Sequence, residues 1–243
     1  MSLLEGRVAV VTGAGSGIGE GIARAFVDEG ACVALVGRST EKLRQVASSL
    51  PPERVLCYPC DVSDRATIEA MGAEVSGRFG PVDLLVNNAG VNTLRRSVFE
   101  VDPLDWDYMI AVNLTGAFNC VRAVLPGMRK LKNGLVINVS SIAGKRASQL
   151  AGVAYSASKH GMVALSHSIN EDEAAYGIRS TVLCPGEVST PILEHRPVPV
   201  PQEARDLMLT PEDLAQAAIF VATLPPRACV PELIIKPTVQ VYS

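Results

Sequence analysis

The 243-residue sequence has little of what marks membrane, nucleic-acid-binding or secreted proteins. Charged residues make up only 19% of the chain and the net charge is −3, which argues against nucleic acid as the main partner. No uninterrupted apolar run reaches the roughly 18 residues that a membrane span needs. The start, Met1 to Glu5, lacks the basic segment and apolar core of a signal peptide. We therefore expect a cytoplasmic protein that binds neither nucleic acid nor a membrane.

Cysteine and histidine are too sparse and scattered to predict a metal site. Cys57 and Cys60 form one C-x-x-C, a spacing found in redox and zinc sites, but no second pair accompanies it. The three histidines, at 160, 167 and 195, do not form a cluster in the sequence. The segment around Cys57 has the pattern of a strand, where small thiols are commonly buried. We predict structural cysteines, and surface or core histidines, with no bound metal.

Segments typical of strands alternate with segments typical of helices along the chain. Short apolar runs rich in β-branched residues predict buried strands near 7–12, 32–36, 54–58, 83–87, 134–140, 178–184 and 231–236. Helical patterns predict helices near 18–29, 40–49, 64–79, 104–131, 153–176 and 211–223. This alternation indicates the α/β class: one doubly wound domain over 1–243, with a seven-stranded parallel sheet and helices on both faces.

A glycine-rich loop follows the first predicted strand. Thr12, Gly13, Gly17 and Gly19 have the spacing T-G-x3-G-x-G, whereas the common G-x-G-x-x-G pattern fails because position 18 is Ile. The order strand, glycine loop, helix predicts a dinucleotide cradle. Backbone N–H groups at a helix start can bind a diphosphate, and glycines let it approach. A glycine-rich turn without a ligand is the alternative.

Tyr155 and Lys159 lie four residues apart in a predicted helix, which places both side chains on one face. The unperturbed pKa of Tyr is about 10, and a fixed cation beside the phenol is needed to bring it toward neutrality. A hydroxyl of the upstream Ser140-Ser141 pair could hold a carbonyl oxygen against the phenol. This layout suits proton transfer to or from a C–O group. A Tyr–Lys pair on a solvated helix face is the alternative.

Three further patterns complete the set. Asn87-Asn88-Ala89-Gly90 closes a predicted strand, Asn113 lies inside a helical stretch, and Pro185-Gly186 closes another strand. With the glycine loop and the Tyr–Lys pair, they resemble the short-chain dehydrogenase/reductase family over about residues 5–224. The resemblance implies a Rossmann fold and an enzyme that transfers a hydride between a nicotinamide cofactor and a small-molecule carbonyl or secondary alcohol.

The resemblance also implies four catalytic residues: Asn113, Ser141, Tyr155 and Lys159. In such an enzyme Tyr155 exchanges a proton with the substrate oxygen, while Lys159 bonds the nicotinamide ribose and lowers the Tyr155 pKa. Asn113 would distort its helix and hold water leading to Lys159; a buried amide with satisfied bonds is the alternative. Ser141 is preferred to Ser140 for the substrate contact, although the interval from Ser141 to Tyr155 is one residue longer than usual.

The implied cofactor site joins the glycine loop to later loops and strand ends. Its residues are Gly13, Ser16, Gly17, Ile18, Gly19, Arg38, Asp61, Val62, Asn88, Ala89, Gly90, Tyr155, Lys159, Pro185, Gly186, Val188 and Thr190. Asp61 would contact the adenine amino group, unless it is only a turn residue. Arg38 follows the second strand, where an NAD-selective site would place an acid.

A guanidinium suits a 2′-phosphate, so Arg38 favours NADP over NAD. Two considerations argue against a preference for NADP. Many NADP-using relatives also have a basic residue inside the glycine loop, where this chain has Ser16. A solvated Arg at a strand end would carry no preference at all.

The segment 188–210 contains alternating prolines between His195 and Pro201, which favour an extended loop. It is either a stiff surface connection or a substrate lid, and the resemblance favours the lid. The stretch from Pro231 to Gln240 resembles a subgroup with NADP-dependent 3-hydroxy acid and serine dehydrogenases and certain aldehyde reductases. That similarity suggests a small polar substrate.

The family resemblance implies a homo-oligomer, a homotetramer or a dimer, formed through the helices near 104–131 and 153–176. Two other functions were weighed. Redox-sensing binding proteins share the cofactor fold but commonly lack the Tyr155–Lys159 pair. Sugar-nucleotide epimerases and dehydratases of the extended branch are longer and have a different glycine spacing.

Overall fold

Seven parallel strands form a single sheet in the computed structural model, which describes residues 2–241. Met1, Tyr242 and Ser243 of the predicted 1–243 domain lie outside the described residues. The strands are β1 Val8–Thr12, β2 Cys32–Gly37, β3 Val55–Pro59, β4 Leu84–Asn87, β5 Gly134–Val139, β6 Ile178–Pro185 and β7 Glu232–Ile235. Their order is β3-β2-β1-β4-β5-β6-β7, and the predicted doubly wound fold is confirmed.

Eight α-helices cover both faces of this sheet within the described residues. They are α1 Gly17–Asp28, α2 Thr40–Ala47, α3 Arg65–Phe79, α4 Pro103–Ile110, α5 Gly116–Leu131, α6 Val153–Glu173, α7 Gln202–Arg205 and α8 Pro211–Thr223. Short 3-10 turns and one π turn, Ala111–Thr115, lie between them. The predicted helix boundaries agree closely, except that α7 was not predicted and the predicted helix 104–131 contains the π turn.

Two hydrophobic clusters, one on each face, hold the layers together. Successive strand residues point to opposite faces, so Ala9 and Val11 join the cluster under α1, α2 and α8. Val8 and Val10 join the cluster under α3, α5 and α6. Because both faces are covered, the strands read as continuous apolar runs rather than alternating ones.

The chain reverses direction across the sheet after β3. It moves outward from β1 to β2 and β3, then returns to place β4 on the other side of β1. The connections after β1 and β4 therefore diverge and leave a crevice at the carboxyl ends of these strands, which is where doubly wound folds bind ligands.

The continuous helical stretch Pro103–Leu131 is long and apolar enough to cross a membrane, judged by length and composition alone. This stretch contains no long uninterrupted apolar run, because its apolar residues are interspersed with polar ones. Half of its most apolar window is buried inside the protein. Because α5 packs against α3, β4 and β5, the stretch is accounted for as a core helix.

Candidate active site

A cavity of about 1240 Å³ occupies the crevice at the carboxyl ends of the strands. It is lined by residues from the glycine loop, the ends of β2 to β6 and the segment after β6. Of the predicted site residues, all except Gly19 and Asn113 line it. Residues far apart in the chain, from Gly13 to Thr190, therefore meet around one cavity.

The glycine loop turns sharply between β1 and α1. Gly13 and Gly17 have φ angles of +65° and +58°, which L-residues with a side chain rarely adopt. Ser16 stands at the N-cap of α1 but its side chain makes no capping bond. Helix-start N–H groups that lack a side-chain partner favour an anionic ligand. The loop thus fits a diphosphate.

Thr12 and Asn88 lock the glycine loop to the end of β4. The Thr12 hydroxyl accepts hydrogen bonds from the backbone N–H groups of Asn88 and Ala89, each 3.0 Å away. In return, the Asn88 amide donates to the carbonyl oxygens of Thr12 and Gly13 at 3.0 and 3.3 Å. A Cβ atom at Gly19 would lie 2.4 Å from both Gly13 O and the Asn88 Nδ2 atom. Gly19 is therefore behind the cavity wall, where it lets α1 approach β4.

Two basic residues line the cavity beyond β2. The exposed Arg38 guanidinium hydrogen-bonds to the Tyr108 hydroxyl from α4, and its Cζ atom lies 6.0 Å from the centre of the Tyr108 ring. Lys42, which the sequence analysis did not identify, stands over the glycine loop: a Cβ atom at Gly15 would lie 3.0 Å from Lys42 Cβ. Lys42 lies in the first turn of α2, four residues after Arg38, and a second basic residue so close to Arg38 in the sequence is a signal that could have been noticed.

Asp61 also lines the cavity, in the turn after β3. Its Oδ1 atom accepts bonds from the backbone N–H and the hydroxyl of Ser63, at 2.9 and 2.7 Å. These contacts match the turn residue weighed as the alternative for Asp61. Its place in the cavity wall leaves the adenine contact open, since the other carboxylate oxygen makes no bond to a described residue.

Tyr155 faces the cavity from the first turns of α6. Burial raises the pKa of its phenol, and the Ser141 side chain and the positive charge of Arg96 oppose that rise. The family resemblance implies that Lys159 lowers this pKa. In the structure burial has the larger effect, and Lys159 is not among the groups that oppose it.

Lys159 lies under Tyr155, one turn further along α6. Its Nζ atom is 5.5 Å from the centre of the Tyr155 ring and donates to the carbonyl oxygen of Val139 at 2.8 Å. Only 3% of the residue is exposed, and burial lowers the pKa of its ammonium to about 8. The amino group expected beside the phenol is present, but burial destabilises its charged form.

Asn113 does not line the cavity but supports its floor from the π turn. The amide oxygen accepts from Val91 N–H at 2.8 Å, and the amide nitrogen donates to Val91 O at 3.0 Å and to the Ser158 hydroxyl at 3.1 Å. The side chain is fully buried. Asn113 thus ties the strand-end loop after β4 to α6 next to Lys159. Its helix is distorted at this point, as expected; its catalytic role stays a prediction.

The two serines at the end of β5 point in different directions. The buried Ser140 hydroxyl donates to Lys159 O at 2.9 Å, on the α6 backbone. The Ser141 hydroxyl accepts from Ala143 N–H at 3.1 Å and interacts with Tyr155. Of the two, Ser141 is better placed to meet a substrate oxygen at the phenol.

The far wall is formed by the end of β6 and by residues near the end of the described chain. Pro185, Gly186 and Val188 line the cavity together with Gln240. The Gln240 amide oxygen accepts from Glu187 N–H at 3.0 Å. Gln240 was not identified from the sequence, because nothing in its local pattern indicates a contact with residues more than 50 positions away.

The two ends of the segment 188–210 are paired with each other. Val188 pairs with Leu209 as an isolated bridge, and Ser189 N–H donates to Leu209 O at 2.8 Å. Between these ends lie a 3-10 turn, Pro191–His195, and α7. Several residues of the first half line the cavity, among them Thr190, Leu193 and Arg196. The segment covers part of the cleft, and its role as a substrate lid stays a prediction.

Arg96 is a second cation at the substrate end that the sequence analysis missed. It lies in the loop between β4 and α4, lines the cavity and is only 8% exposed. Nothing in the run Leu94-Arg95-Arg96-Ser97 distinguishes a buried arginine from a solvated one. Only the tertiary fold identifies which of the two neighbouring arginines turns inward.

All six cysteines have free thiols in the structure. Burial raises the pKa of Cys60 to about 11, so its thiol is protonated at neutral pH, and Cys57 and Cys60 are not bonded to each other. Across residues 2–241 no group of three or more His, Cys, Asp or Glu side chains is arranged to hold a metal ion.

Comparisons with known proteins agree with this site. A family model described as short chain dehydrogenase matches residues 7–198. An uncharacterized oxidoreductase of Staphylococcus aureus (strain MW2) is 34% identical over 237 residues, which cover 98% of this chain and 100% of that protein.

Solved structures are similar over the same length. A closed form of serine dehydrogenase complexed with NADP+ has a TM-score of 0.90 and 32% identity, with 97% of both chains covered. A 3-ketoacyl-(acyl-carrier-protein) reductase from Brucella melitensis, complexed with NADH, has a TM-score of 0.87 and 31% identity, covering 97% of this chain and 98% of that one. These structural neighbours thus include complexes with both nicotinamide dinucleotides.

Proposed function

The chain belongs to the short-chain dehydrogenase family, and from that premise we propose that it transfers a hydride between NADP(H) and a carbonyl or secondary alcohol, with Tyr155 as the general acid and base. The observation that carries the proposal is the meeting of Tyr155, Ser141 and Lys159 in the cavity that also contains the glycine loop. Membership establishes an oxidoreductase with a nicotinamide dinucleotide cofactor; the substrate, the cofactor preference and the residue roles are proposed.

Tyr155 moves the proton. In the direction of reduction its phenol donates to the carbonyl oxygen, and in oxidation the phenolate accepts the proton of the alcohol. Ser141 donates a hydrogen bond to the same oxygen and fixes it against the phenol. The nicotinamide, when bound, supplies or takes up the hydride. Since burial raises the Tyr155 pKa, the protonated phenol needed for reduction is the favoured form in the cofactor-free protein.

Lys159 and Asn113 prepare the acid–base group. Lys159 would bond the nicotinamide ribose and place a positive charge near the phenolate. The pKa of about 8 means that this ammonium gives up part of its charge in mildly alkaline solution. Asn113 holds the backbone of the Val91 loop and, through Ser158, the turn of α6 that carries both residues. We assign it a positioning role.

NADP is the proposed cofactor in preference to NAD. Arg38 and Lys42 are the basic residues at the end of the cavity where the adenosine belongs, and a 2′-phosphate would pair with them. Asp61, which lines the same region of the cavity, would contact the adenine. Residues of the glycine loop and Asn88 to Gly90 would hold the diphosphate and ribose.

We also propose a homo-oligomer built on the helices 103–131 and 153–173. Four large apolar side chains on the first of these helices are substantially exposed: Leu104, Tyr108, Phe118 and Leu131. Exposed apolar residues on a long helix indicate a surface that another chain can cover. A homotetramer and a dimer both satisfy this requirement.

The test is a panel of ketones, aldehydes and hydroxy acids with NADP(H) and NAD(H), followed by the absorbance of the reduced nicotinamide. With a substrate from that panel, Tyr155→Phe should lower turnover by roughly 10³-fold, since it removes the proton donor. The dissociation constant for NADPH should be nearly unchanged. Tyr176→Phe, at an exposed tyrosine outside the cavity, is the matched control. Normal turnover in Tyr155→Phe would refute the mechanism.

A further inference from the structure

Arg96 joins three segments around the substrate end of the cavity. Its Nε atom donates to Thr93 O at 2.7 Å, its Nη2 atom donates to His195 O at 2.6 Å, and its Nη1 atom donates to Leu150 O. These acceptors belong to its own loop, to the segment 188–210 and to the loop before α6. The Arg96 carbonyl oxygen in turn accepts from Val153 N–H at 3.0 Å, at the start of α6. Its position is therefore fixed from four directions.

The Arg96 guanidinium is buried without a carboxylate partner. Among residues 2–241 none of the ion pairs involves Arg96, although 92% of the residue is removed from solvent. Neutral carbonyl oxygens accept three of its hydrogen bonds but do not balance its charge. Burial, followed by the charge of Arg196, lowers the pKa of Arg96. A buried charge in this state gains most from an anion.

Hydrogen-bond capacity remains at Arg96 for such an anion. A guanidinium has five N–H donors, and three of them are used in the bonds to carbonyl oxygens. One N–H is left on each of the two terminal nitrogens, since each of these donates once and carries two hydrogens. Two donors on adjacent nitrogens match the two oxygens of a carboxylate.

We propose that Arg96 is the anchor for a carboxylate of the substrate, so that the preferred substrates are oxo acids or hydroxy acids rather than neutral ketones or alcohols. This inference rests on the proposed function and specifies its substrate class. The carboxylate binds at Arg96, while the carbonyl of the same molecule reaches Tyr155 and Ser141. The reaction at that carbonyl is unchanged: it gains a hydride from the cofactor and a proton from Tyr155.

The surroundings of Arg96 support an anion and limit the length of the substrate. Arg196 also lines the cavity and pairs with the carboxylate of Glu187 at 2.7 Å. Within residues 2–241 this ion pair balances the charge of Arg196, while the charge of Arg96 has no such partner. Arg96 and Tyr155 line the same cavity, and the Arg96 carbonyl oxygen accepts from the N–H of Val153, two residues before Tyr155. A short molecule in this cavity can therefore contact both.

The experiment uses pairs of substrates that differ in charge. The acids 2-oxobutanoate, 3-oxobutanoate and 4-oxopentanoate are each compared with their methyl esters, with NADPH and the full-length protein. We expect kcat/KM to be higher for at least one acid than for its ester by about tenfold or more, as one charge-assisted bidentate contact provides. If every ester is reduced as well as its acid, the proposal is overturned, while the proposed function stands. If no carbonyl compound of either kind is reduced, both fail.

Variants of Arg96 test whether this residue causes the preference for acids over esters. Arg96→Met should reduce the acid-to-ester ratio of kcat/KM by about tenfold or more, while Arg96→Lys should retain part of the ratio. Arg95→Met is the matched control, because Arg95 is the exposed neighbour and does not line the cavity. The ratio is informative because a change in the general efficiency of Tyr155 affects acid and ester alike. An unchanged ratio in Arg96→Met would overturn the proposal.

A binding measurement avoids dependence on turnover and on the folding of a variant. The wild-type protein is loaded with NADP+, which cannot reduce the carbonyl, and titrated calorimetrically with the best oxo acid and with its ester. We expect the acid to bind more tightly, and its advantage to shrink as sodium chloride is raised. Equal affinities for acid and ester would contradict the assignment. Tighter binding of dihydroxyacetone phosphate than of any oxo acid would replace the carboxylate by a phosphate and overturn it equally.

Discussion

The two ends of the cleft differ in the groups that form their walls. At the diphosphate end the wall is mainly backbone: Gly13 and Gly17 turn the chain, and the α1 terminus has no side-chain cap. At the substrate end the wall is made of side chains, including Tyr155, Ser141 and Arg96. The diphosphate end depends on glycines, which leave room for the ligand. The substrate end depends on polar and charged side chains from segments that are distant in sequence.

This difference determines how each end responds to change. An added methyl group at the diphosphate end meets backbone, which cannot move aside, so the effect falls on the fold and on cofactor binding together. A changed charge at the substrate end leaves the strands in place and alters protonation or selectivity. The predictions below test whether the two ends separate in this way.

The largest effect is expected at Gly19. In Gly19→Ala the new Cβ atom would lie 2.4 Å from Gly13 O, and we expect a loss of about 3 kcal/mol or more in unfolding free energy together with the loss of NADPH binding. Urea unfolding and fluorescence titration with NADPH measure the two. Gly77→Ala is the control: its Cβ would meet no atom within 4 Å in α3, so a gain of about 0.5–1 kcal/mol is expected. Normal NADPH binding by Gly19→Ala would contradict the backbone account.

A smaller effect with a pH signature is expected at Lys159. Burial depresses its pKa from 10.5 to about 8. The unfolded chain therefore binds more protons between these values, and the cost of burying the charge, on the order of 3 kcal/mol, is present below pH 8 and gone above pH 10.5. Lys159→Met removes that cost but loses the bond to Val139 O, worth about 1 kcal/mol.

We therefore expect cofactor-free Lys159→Met to be more stable than wild type by about 2 kcal/mol at pH 7, and nearly equal to it at pH 10. Urea unfolding at both pH values measures the difference, and Lys130→Met, at an exposed lysine, should show no such change. A difference that is independent of pH would show that Lys159 is not a buried cation in solution.

The smallest effect is expected at Arg38. Arg38→Asp should reduce the preference for NADP over NAD by about tenfold, equivalent to about 1.4 kcal/mol, because an acid repels the 2′-phosphate and accepts bonds from ribose hydroxyls. The ratio of kcat/KM with the two cofactors measures it. Arg44→Asp makes the same charge change on α2 outside the cavity and should leave the ratio unchanged. If both variants behave alike, general surface charge rather than Arg38 sets the preference.

The diphosphate end could be predicted from sequence because it depends on local order. Thr12 to Gly19 connect a strand to a helix, and the spacing of their glycines carries the information. The strands could be placed equally well, since both faces of the sheet are buried and the runs are apolar. The doubly wound parallel sheet could be predicted from the alternation of strands and helices, and the meeting of Tyr155 with Ser141 from the family resemblance.

The substrate end could not be predicted in the same way. The inward turn of Arg96 depends on carbonyl acceptors at Leu150 and His195, which come from two other loops. The contact of Gln240 with Glu187 likewise has no local signal. The opposing effects of burial and charge on the Tyr155 pKa depend on the residues that surround the phenol. The interval between Tyr155 and Lys159 shows only that both side chains lie on one helix face.

The π turn Ala111–Thr115 sets the rotation of α4 relative to α5. An α-helix turns by about 100° per residue, so deleting one residue here would regularise the coil and swing α4 by about that angle while α5 stayed anchored on the sheet. Tyr108 would then leave Arg38. The π turn contains one residue more than a regular α-helical turn, and exchanging one side chain for another does not remove a residue. A point mutation should therefore abolish a single contact of the π turn more easily than the π turn itself.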